Sequence, residues 1–165
     1  MELRKPALSE LSFRRQMLAD PETMAYNEKW GGTIDFSREK WDGWYARWVR
    51  DTDGQRFYRY LYVPEAEAFV GEAAYHFDAE LGQWLADVIV YAPFRGRGYG
   101  REGLRLLVQA ARENGLAALC DNIAADNDAA LALFQSEGFR PVMRADDWIL
   151  VKRELTDSAC QKSLF

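Results

Sequence analysis

Residues 88–111, VIVYAPFRGRGYGREGLRLLVQAA, constrain the fold of this chain more than any other stretch. An apolar, β-branched run (Val88, Ile89, Val90, Tyr91) meets a turn marked by Pro93. Arg95-Gly96-Arg97-Gly98-Tyr99-Gly100 follows, and then an amphipathic segment with Leu104, Leu107, Val108 and Ala111 on one face. Strand, glycine loop and helix in this order form an anion-holding arrangement. Glycine lets the backbone approach an anion closely, and the first amides of a helix have no intrahelical acceptor. Arg95, Arg97 and Arg101 add guanidinium groups suited to phosphate. No Lys-Ser or Lys-Thr follows the loop, so it is not a Walker A motif. The spacing is G-x-G-x-G and lies past the middle of the chain, unlike a dinucleotide fingerprint at an initial βαβ unit. A glycine-rich turn without function is the bland alternative, and the interleaved arginines argue against it.

The rest of the chain reads as elements around this unit. Leu3–Lys5 is a short strand candidate, and Ala7–Ala19 a helix with Leu8, Leu11 and Leu18 on one face and Ser9 as cap. Asp20-Pro21 breaks it, and a long loop with Gly31-Gly32 follows, of the kind that more often carries function than not. Ser37 is expected to cap a helix over Arg38–Arg50. There Trp41, Trp44, Tyr45 and Trp48 fall on one face, read first as a buried stripe and second as a substrate wall. Strands are expected at Arg56–Val63, Glu67–Phe77 and Gln83–Tyr91, forming an antiparallel meander, with Gly71 marking a bulge or a close approach. The helix after the glycine loop should stop near Asn114. The strand Leu116–Ile123 then lies across a helical crossover from the one ending at Tyr91, so the two should run parallel. Asp126 is expected to cap a short helix through Glu137, and Trp148–Glu154 is a last strand. The expectation is one domain over residues 1–155 and a loose tail over 156–165.

Two stretches resemble the GNAT superfamily of N-acetyltransferases. Arg95 to Gly100 is similar to that family's R-x-x-G-x-G loop for the coenzyme A diphosphate, and Asn127 to Phe134, with Gly138-Phe139 beyond, to its N-x-x-A-x-x-L-[YF]…G-F segment. The resemblance covers roughly residues 56–153, in the family's order. It implies an α/β (α+β) fold whose mixed, mostly antiparallel sheet contains one parallel, splayed strand pair with flanking helices, and it implies acetyl-CoA as cofactor. The pantetheine arm would lie between the splayed strands. Backbone amides of Val88, Ile89 and Val90 would pair with it and with the thioester carbonyl, where a fixed donor is worth about 3 kcal/mol. Gly96, Arg97, Gly98, Tyr99, Gly100 and Arg101 would join Arg95 at the diphosphate. Asn127 would bond the arm or serve as a helix cap, and Phe134 would pack on the cofactor. Two positions depart from the family: Ala92 stands where proline is usual, and Phe134 replaces a tyrosine that often protonates the leaving thiolate. A thiol pKa near 8.5, as for Cys, allows departure without a protein acid.

A primary ammonium must lose a proton before it can attack an acyl carbon. Glu72 and His76, on one face of their strand, and Asp87, just before Val88, are the candidate bases. Glu72 ranks first because a carboxylate in the centre of a strand needs a reason to be there, though an ion pair is an equal reading. Asp121 and Asn122 could orient acceptor or water. Asn27, Glu28, Trp30 and Asp35 are candidates for holding a cation by carboxylate and aromatic face. The resulting expectation is direct acetyl transfer in a ternary complex to a small-molecule amine. A protein N-terminus or lysine as acceptor, and a non-catalytic CoA sensor, are the alternatives. The net charge of −5 argues against nucleic acid as the main partner. Two cysteines, Cys120 and Cys160, and one histidine provide neither a disulfide framework nor a metal centre. With no apolar leader core and no apolar run of 18 residues, a cytoplasmic location and no membrane are expected, with a homodimer open.

Overall fold

A computed structural model describes residues 1–156, so Cys160 and most of the expected tail lie outside the described residues. A seven-stranded sheet organises the chain in the order β1-β2-β3-β4-β5-β7-β6. The strands are β1 (Glu2–Arg4), β2 (Arg56–Val63), β3 (Ala68–Asp78), β4 (Gln83–Val90), β5 (Ala118–Ala124), β6 (Arg140–Arg144) and β7 (Trp148–Glu154). The helices are α1 (Leu11–Ala19), α2 (Trp41–Tyr45), α3 (Tyr99–Glu113) and α4 (Asp128–Ser136). Every neighbouring pair is antiparallel except β4 and β5. The expected meander and crossover are therefore present, because two-residue alternation and the right-handed βαβ rule act on local sequence. None of the described helices is long and apolar enough to cross a membrane.

α3 covers one face of the sheet. Leu104, Leu107, Val108 and Ala111 are all buried, against Leu61, Ala73, Tyr75, Ala86, Leu119 and Ile123. Gly103 allows the close approach, since a Cβ there would come within 2.9 Å of Leu61 Cδ1. On the other face α1 and α2 pack over Tyr58, Tyr60 and Ala74. The tryptophan stripe is part of that second core. Trp41 is buried, and Trp44 lies edge-on to Tyr58 at 4.7 Å between ring centroids.

Several local expectations are corrected. The segment before α1 is a 3-10 turn over Leu8–Glu10. It is held by Glu10 Oε2 accepting from the Ala7 amide (2.7 Å) rather than by Ser9, and Leu8 is exposed. The helix expected over Arg38–Arg50 is a 3-10 turn, then α2, then a π-helical turn over Ala46–Arg50, and Ser37 makes no capping bond. The cap of α4 is Asn127, whose Oδ1 accepts from the Ala130 amide (3.1 Å), not Asp126. β6 was not expected. It is an edge strand, exposed throughout and carrying Pro141, so no apolar alternation marks it.

Gly71 is both a bulge and a close approach. The β2–β3 register shifts beside it, and a Cβ at Gly71 would sit 2.2 Å from the Ile89 carbonyl oxygen.

Candidate active site

β4 and β5 meet at a single register pair, Leu85 opposite Cys120, and then part. Each is paired on its other side, β4 with β3 through Val90 and β5 with β7 through Ala124. The fork therefore leaves strand edges facing a gap. Which groups face it follows from alternation along a strand. Tyr91 donates its amide to Val70 O (2.9 Å), and Ile89 aims its carbonyl at Gly71, so both turn toward β3. Val88 and Val90 turn the other way, toward β5. The expectation that three consecutive amides face the gap is thus corrected for Ile89. The Val90 carbonyl on that side is reached by Arg95 Nε (3.3 Å).

At the C-terminal end of β4 the chain makes a short turn over Ala92–Phe94 and reaches Gly96 and Gly98 with φ of +76° and +82°. A Cβ at either glycine would meet open space, so the positive φ and not crowding selects glycine. Among the described residues no protein acceptor is found for the amides from Gly96 to Arg101. These amides form the open N-terminal turn of α3 and suit a diphosphate.

The three arginines divide. Arg95 binds main-chain carbonyls of Glu22 (3.0 Å) and Thr23 (2.7 Å) as well as Val90, and so fastens the loop before residue 25 to the end of β4. Thr23, buried there, accepts from the Ala92 amide (3.0 Å). Arg101 turns to Glu137 (3.4 Å) on the α4 side. Arg97 lies over the Phe94 ring and has no carboxylate partner among the described residues. The Arg95 and Arg101 side chains are thus engaged with protein groups, while Arg97 has no such carboxylate among the described residues. Tyr99 packs against the core under α3.

The gap opens into a cleft of about 780 Å³. Asp87, Val88 and Val90 line one wall, Asp121 and Asn122 the other, with Asn127 and Phe134 from the α4 side. A 3-10 turn over Ala25–Trp30 closes the fourth side with Tyr26, Asn27, Glu28 and Trp30. This turn is tied across the cleft mouth by Lys29 Nζ to Asp126 Oδ2 (2.5 Å) and internally by Asn27 Nδ2 to Gly32 O (2.8 Å).

The candidate bases separate sharply. Glu72 is 2% exposed, and both its oxygens are engaged, Oε1 by Arg14 Nη1 and Oε2 by the Tyr58 hydroxyl. Burial opposes the Arg14 charge, but Glu72 and Tyr58 outweigh it and raise its pKa. Glu72 is an interior ion-pair partner and does not line the cleft. His76 packs against Trp48 at 5.6 Å, away from the cleft, and burial lowers its pKa. Asp35 pairs with Lys40 (2.7 Å), also outside it.

Asp87 does line the cleft and its side chain is open to it. Desolvation at the floor of the fork, then the nearby Glu72 charge, push its carboxyl up to about 6, with Arg14 opposing. Asp121 is pushed well above the usual carboxylate range, by desolvation and by Asp87. Both carboxyls at the fork are thereby biased toward their protonated forms. Tyr26 was missed by sequence reasoning. Its phenol pKa is raised by burial and then by Asp87 and Glu72, so it stays protonated beside the pair. No periodic pattern marks it, because the turn that carries it is too short to have a face.

The model of the acetyltransferase (GNAT) domain matches residues 1–140. Among curated proteins, a 57-residue stretch is 37% identical to YycN of Bacillus subtilis (strain 168), an uncharacterised N-acetyltransferase, and covers 34% of this chain and 36% of that protein. The chain thus aligns with about a third of that relative's length. Among solved structures, the ribosomal-protein-alanine N-acetyltransferase from Brucella melitensis is similar with a TM-score of 0.72 at 24% identity, over 93% of this chain and 99% of that one. The yncA protein of Salmonella typhimurium, solved with acetyl-CoA, is similar with a TM-score of 0.67 at 18% identity, over 99% of both chains. The spermidine N-acetyltransferase from Vibrio cholerae, in complex with CoA and spermine, is similar with a TM-score of 0.74 at 15% identity, over 93% of this chain and 95% of that one.

Proposed function

Because this chain belongs to the acetyltransferase (GNAT) domain family, whose acyl donor is acetyl-CoA, we propose that it transfers an acetyl group directly to the primary amine of a small-molecule acceptor within a ternary complex. The observation that carries this reading is the fork. An open strand edge, a free helix N-terminus and a carboxylate lie in a line, from Gly98 back along Val90 and Val88 to Asp87. The residues fit the cofactor: an arm entering from the phosphate loop would find the Val90 amide and the main-chain groups of Val88 turned toward it, and its far end would arrive beside Asp87 and Asp121. Bound acetyl-CoA supplies a thioester carbonyl.

The amides from Gly96 to Arg101 and the Arg97 side chain hold the diphosphate, and Val88 and Val90 set the depth of the arm. Phe134, buried against Phe139 (4.9 Å), is an apolar wall without a hydroxyl to give. Asp87 takes the proton from the incoming ammonium and must be ionised to do so. Asp121, whose ionisation burial and then the Asp87 charge disfavour, opposes a second full charge in the fork. The neutral amine is left facing the acyl carbon that bound acetyl-CoA would supply; the C–N bond would form as the C–S bond breaks, and the second amine proton would pass to the departing thiolate, since Asp87 already carries the first. An acceptor bound as a small cation is supported by the carboxylates and by the closed fourth side formed by the Ala25–Trp30 turn. The spermidine acetyltransferase likeness accords with such an acceptor.

The test follows free thiol while a panel of amines is incubated with acetyl-CoA. Amine-dependent thiol release is expected, together with CoA binding by calorimetry that Gly98→Glu removes. Binding without release from any amine would leave a CoA-sensing module instead, and absence of CoA binding would remove the reading altogether.

A further inference from the structure

Beside the cleft lies a charged network that acetyl transfer at Asp87 does not itself use. Arg14 on α1, Tyr58 on β2 and Glu72 on β3 meet in the core under α1 and α2. Both Glu72 oxygens accept, Oε1 from Arg14 Nη1 and Oε2 from the Tyr58 hydroxyl, so the buried group is held as a carboxylate. Arg14 also donates to the Tyr58 hydroxyl (3.3 Å) and stacks on the Trp44 ring at 4.5 Å. Its Nε is buried with no acceptor among the described residues. Two enclosed charges and an orphan donor are costly, and replacing such a pair by apolar side chains is often neutral or stabilising. Stability is therefore a poor reason for the network, and its place in the sheet supplies a better one.

The register fixes that place. Ala74 lies opposite Asp87, and Glu72 opposite Ile89. Paired residues share a face, and so do residues two apart on one strand. Glu72 and Asp87 are thus diagonal neighbours on the face that α1 and α2 cover, and such neighbours are about 7 to 8 Å apart. Tyr58 opposite Ala74 and Tyr60 opposite Glu72 continue the row. Asp121 on β5 and Tyr26 on the Ala25–Trp30 turn face Asp87 from the cleft side. The two cations of the lining are engaged elsewhere, Lys29 by Asp126 and Arg95 by main-chain carbonyls.

We propose that Glu72 is a positioning residue for Asp87: a fixed, enclosed negative charge on the neighbouring strand that strengthens the base's hold on the proton taken from the amine. Arg14 and Tyr58 clamp that charge in place, and Arg14 offsets part of it. The Glu72 charge raises the Asp87 carboxyl by more than the Arg14 charge lowers it, in accord with the shorter diagonal. This inference rests on the acetyltransferase reading of the cleft. A Glu72 kept only to join α1 to the sheet would leave Asp87 indifferent to its charge.

The experiment follows the Asp87 carboxyl of the whole chain by NMR as pH is varied, with Asp87→Asn identifying the signal. Glu72→Gln should lower the midpoint by about half a unit or more. Arg14→Met combined with Glu72→Met, an apolar replacement of the kind buried pairs tolerate, should lower it by less, because the cation is lost as well. The acid limb of kcat/KM with acetyl-CoA and an accepted amine should move by the same amounts, with KM for acetyl-CoA unchanged. A midpoint that stays in place or rises in either folded variant would overturn this inference and leave the acetyltransferase reading standing. Absence of CoA heat in the parent would remove the acetyltransferase reading, and this role with it, whatever the carboxyl does.

Discussion

At the scale of single residues, two carboxylates on neighbouring strands have opposite fates, and packing decides which one is chemically free. Glu72 has both oxygens engaged in the interior by Arg14 and Tyr58, an arrangement whose cost on breaking is about 3 to 5 kcal/mol for buried pairs. Asp87 opens to the cleft with no such partners. Sequence reasoning ranked Glu72 first because a charge inside a strand demands a reason. The reason proved to be a guanidinium 58 positions earlier in the chain, which no local pattern could reveal. Asp87 and Asp121 were legible as candidates because each flanks the parallel pair. The pH dependence follows from Asp87, whose carboxyl is pushed up to about 6, first by desolvation and then by the Glu72 charge. A base must be ionised, so kcat/KM should fall as pH drops below about 6, and Asp87→Asn should lower it by at least ~10²-fold. For stability the sign is opposite. A carboxyl whose pKa is raised by folding contributes stability at low pH that is lost as pH climbs through its folded pKa. Asp87→Asn should therefore melt above the parent at pH 7.5, with the difference shrinking toward pH 4. A variant with parental activity, or one less stable at pH 7.5, would count against Asp87 as the base.

Among elements, the β3–β4 pair carries the geometry of the site, and Gly71 is its most constrained point. The absent Cβ lets the Ile89 carbonyl lie against β3, which in turn directs Val88 and Val90 into the gap. Gly71→Ala should destabilise the fold by about 2 to 3 kcal/mol, because the added carbon meets backbone and not a side chain that can move. Urea unfolding should show a lower midpoint at unchanged m. CoA affinity should fall with it, since β4 is displaced. A neutral Gly71→Ala would mean that the bulge adapts freely. Strand and helix types were legible wherever apolar periodicity exists, as in β2, β4, α3 and β7. They were not legible where an element has no buried face, as in β6, or is one turn long, as over Ala25–Trp30. The aromatic segment after Ser37 was legible as helical, but its π-helical end was not. Nothing in its i, i+3, i+4 spacing distinguishes a wider final turn.

For the molecule as a whole, the crossover predicted a parallel strand pair and the resemblance to the GNAT superfamily implied that the pair forks, and the surrounding chain supplies what the motifs do not describe. The loop before residue 25 is fastened to the end of β4 by Arg95 and Thr23, and the Ala25–Trp30 turn is tied to the start of α4 by Lys29 and Asp126. Segments distant in sequence thus close the acceptor side of the cleft. The motif's own arginine, Arg95, serves this closure with its side chain, a partner 72 positions away that the motif does not reveal. The central claim is that CoA lies along the open edge of β4, and amide hydrogen exchange with and without saturating CoA tests it most directly. Val88 and Val90 amides should exchange markedly more slowly with CoA bound, while Ile89, already turned to β3, should change little. Unaltered exchange at Val88 and Val90 under saturation, with protection appearing elsewhere on the sheet, would contradict the account.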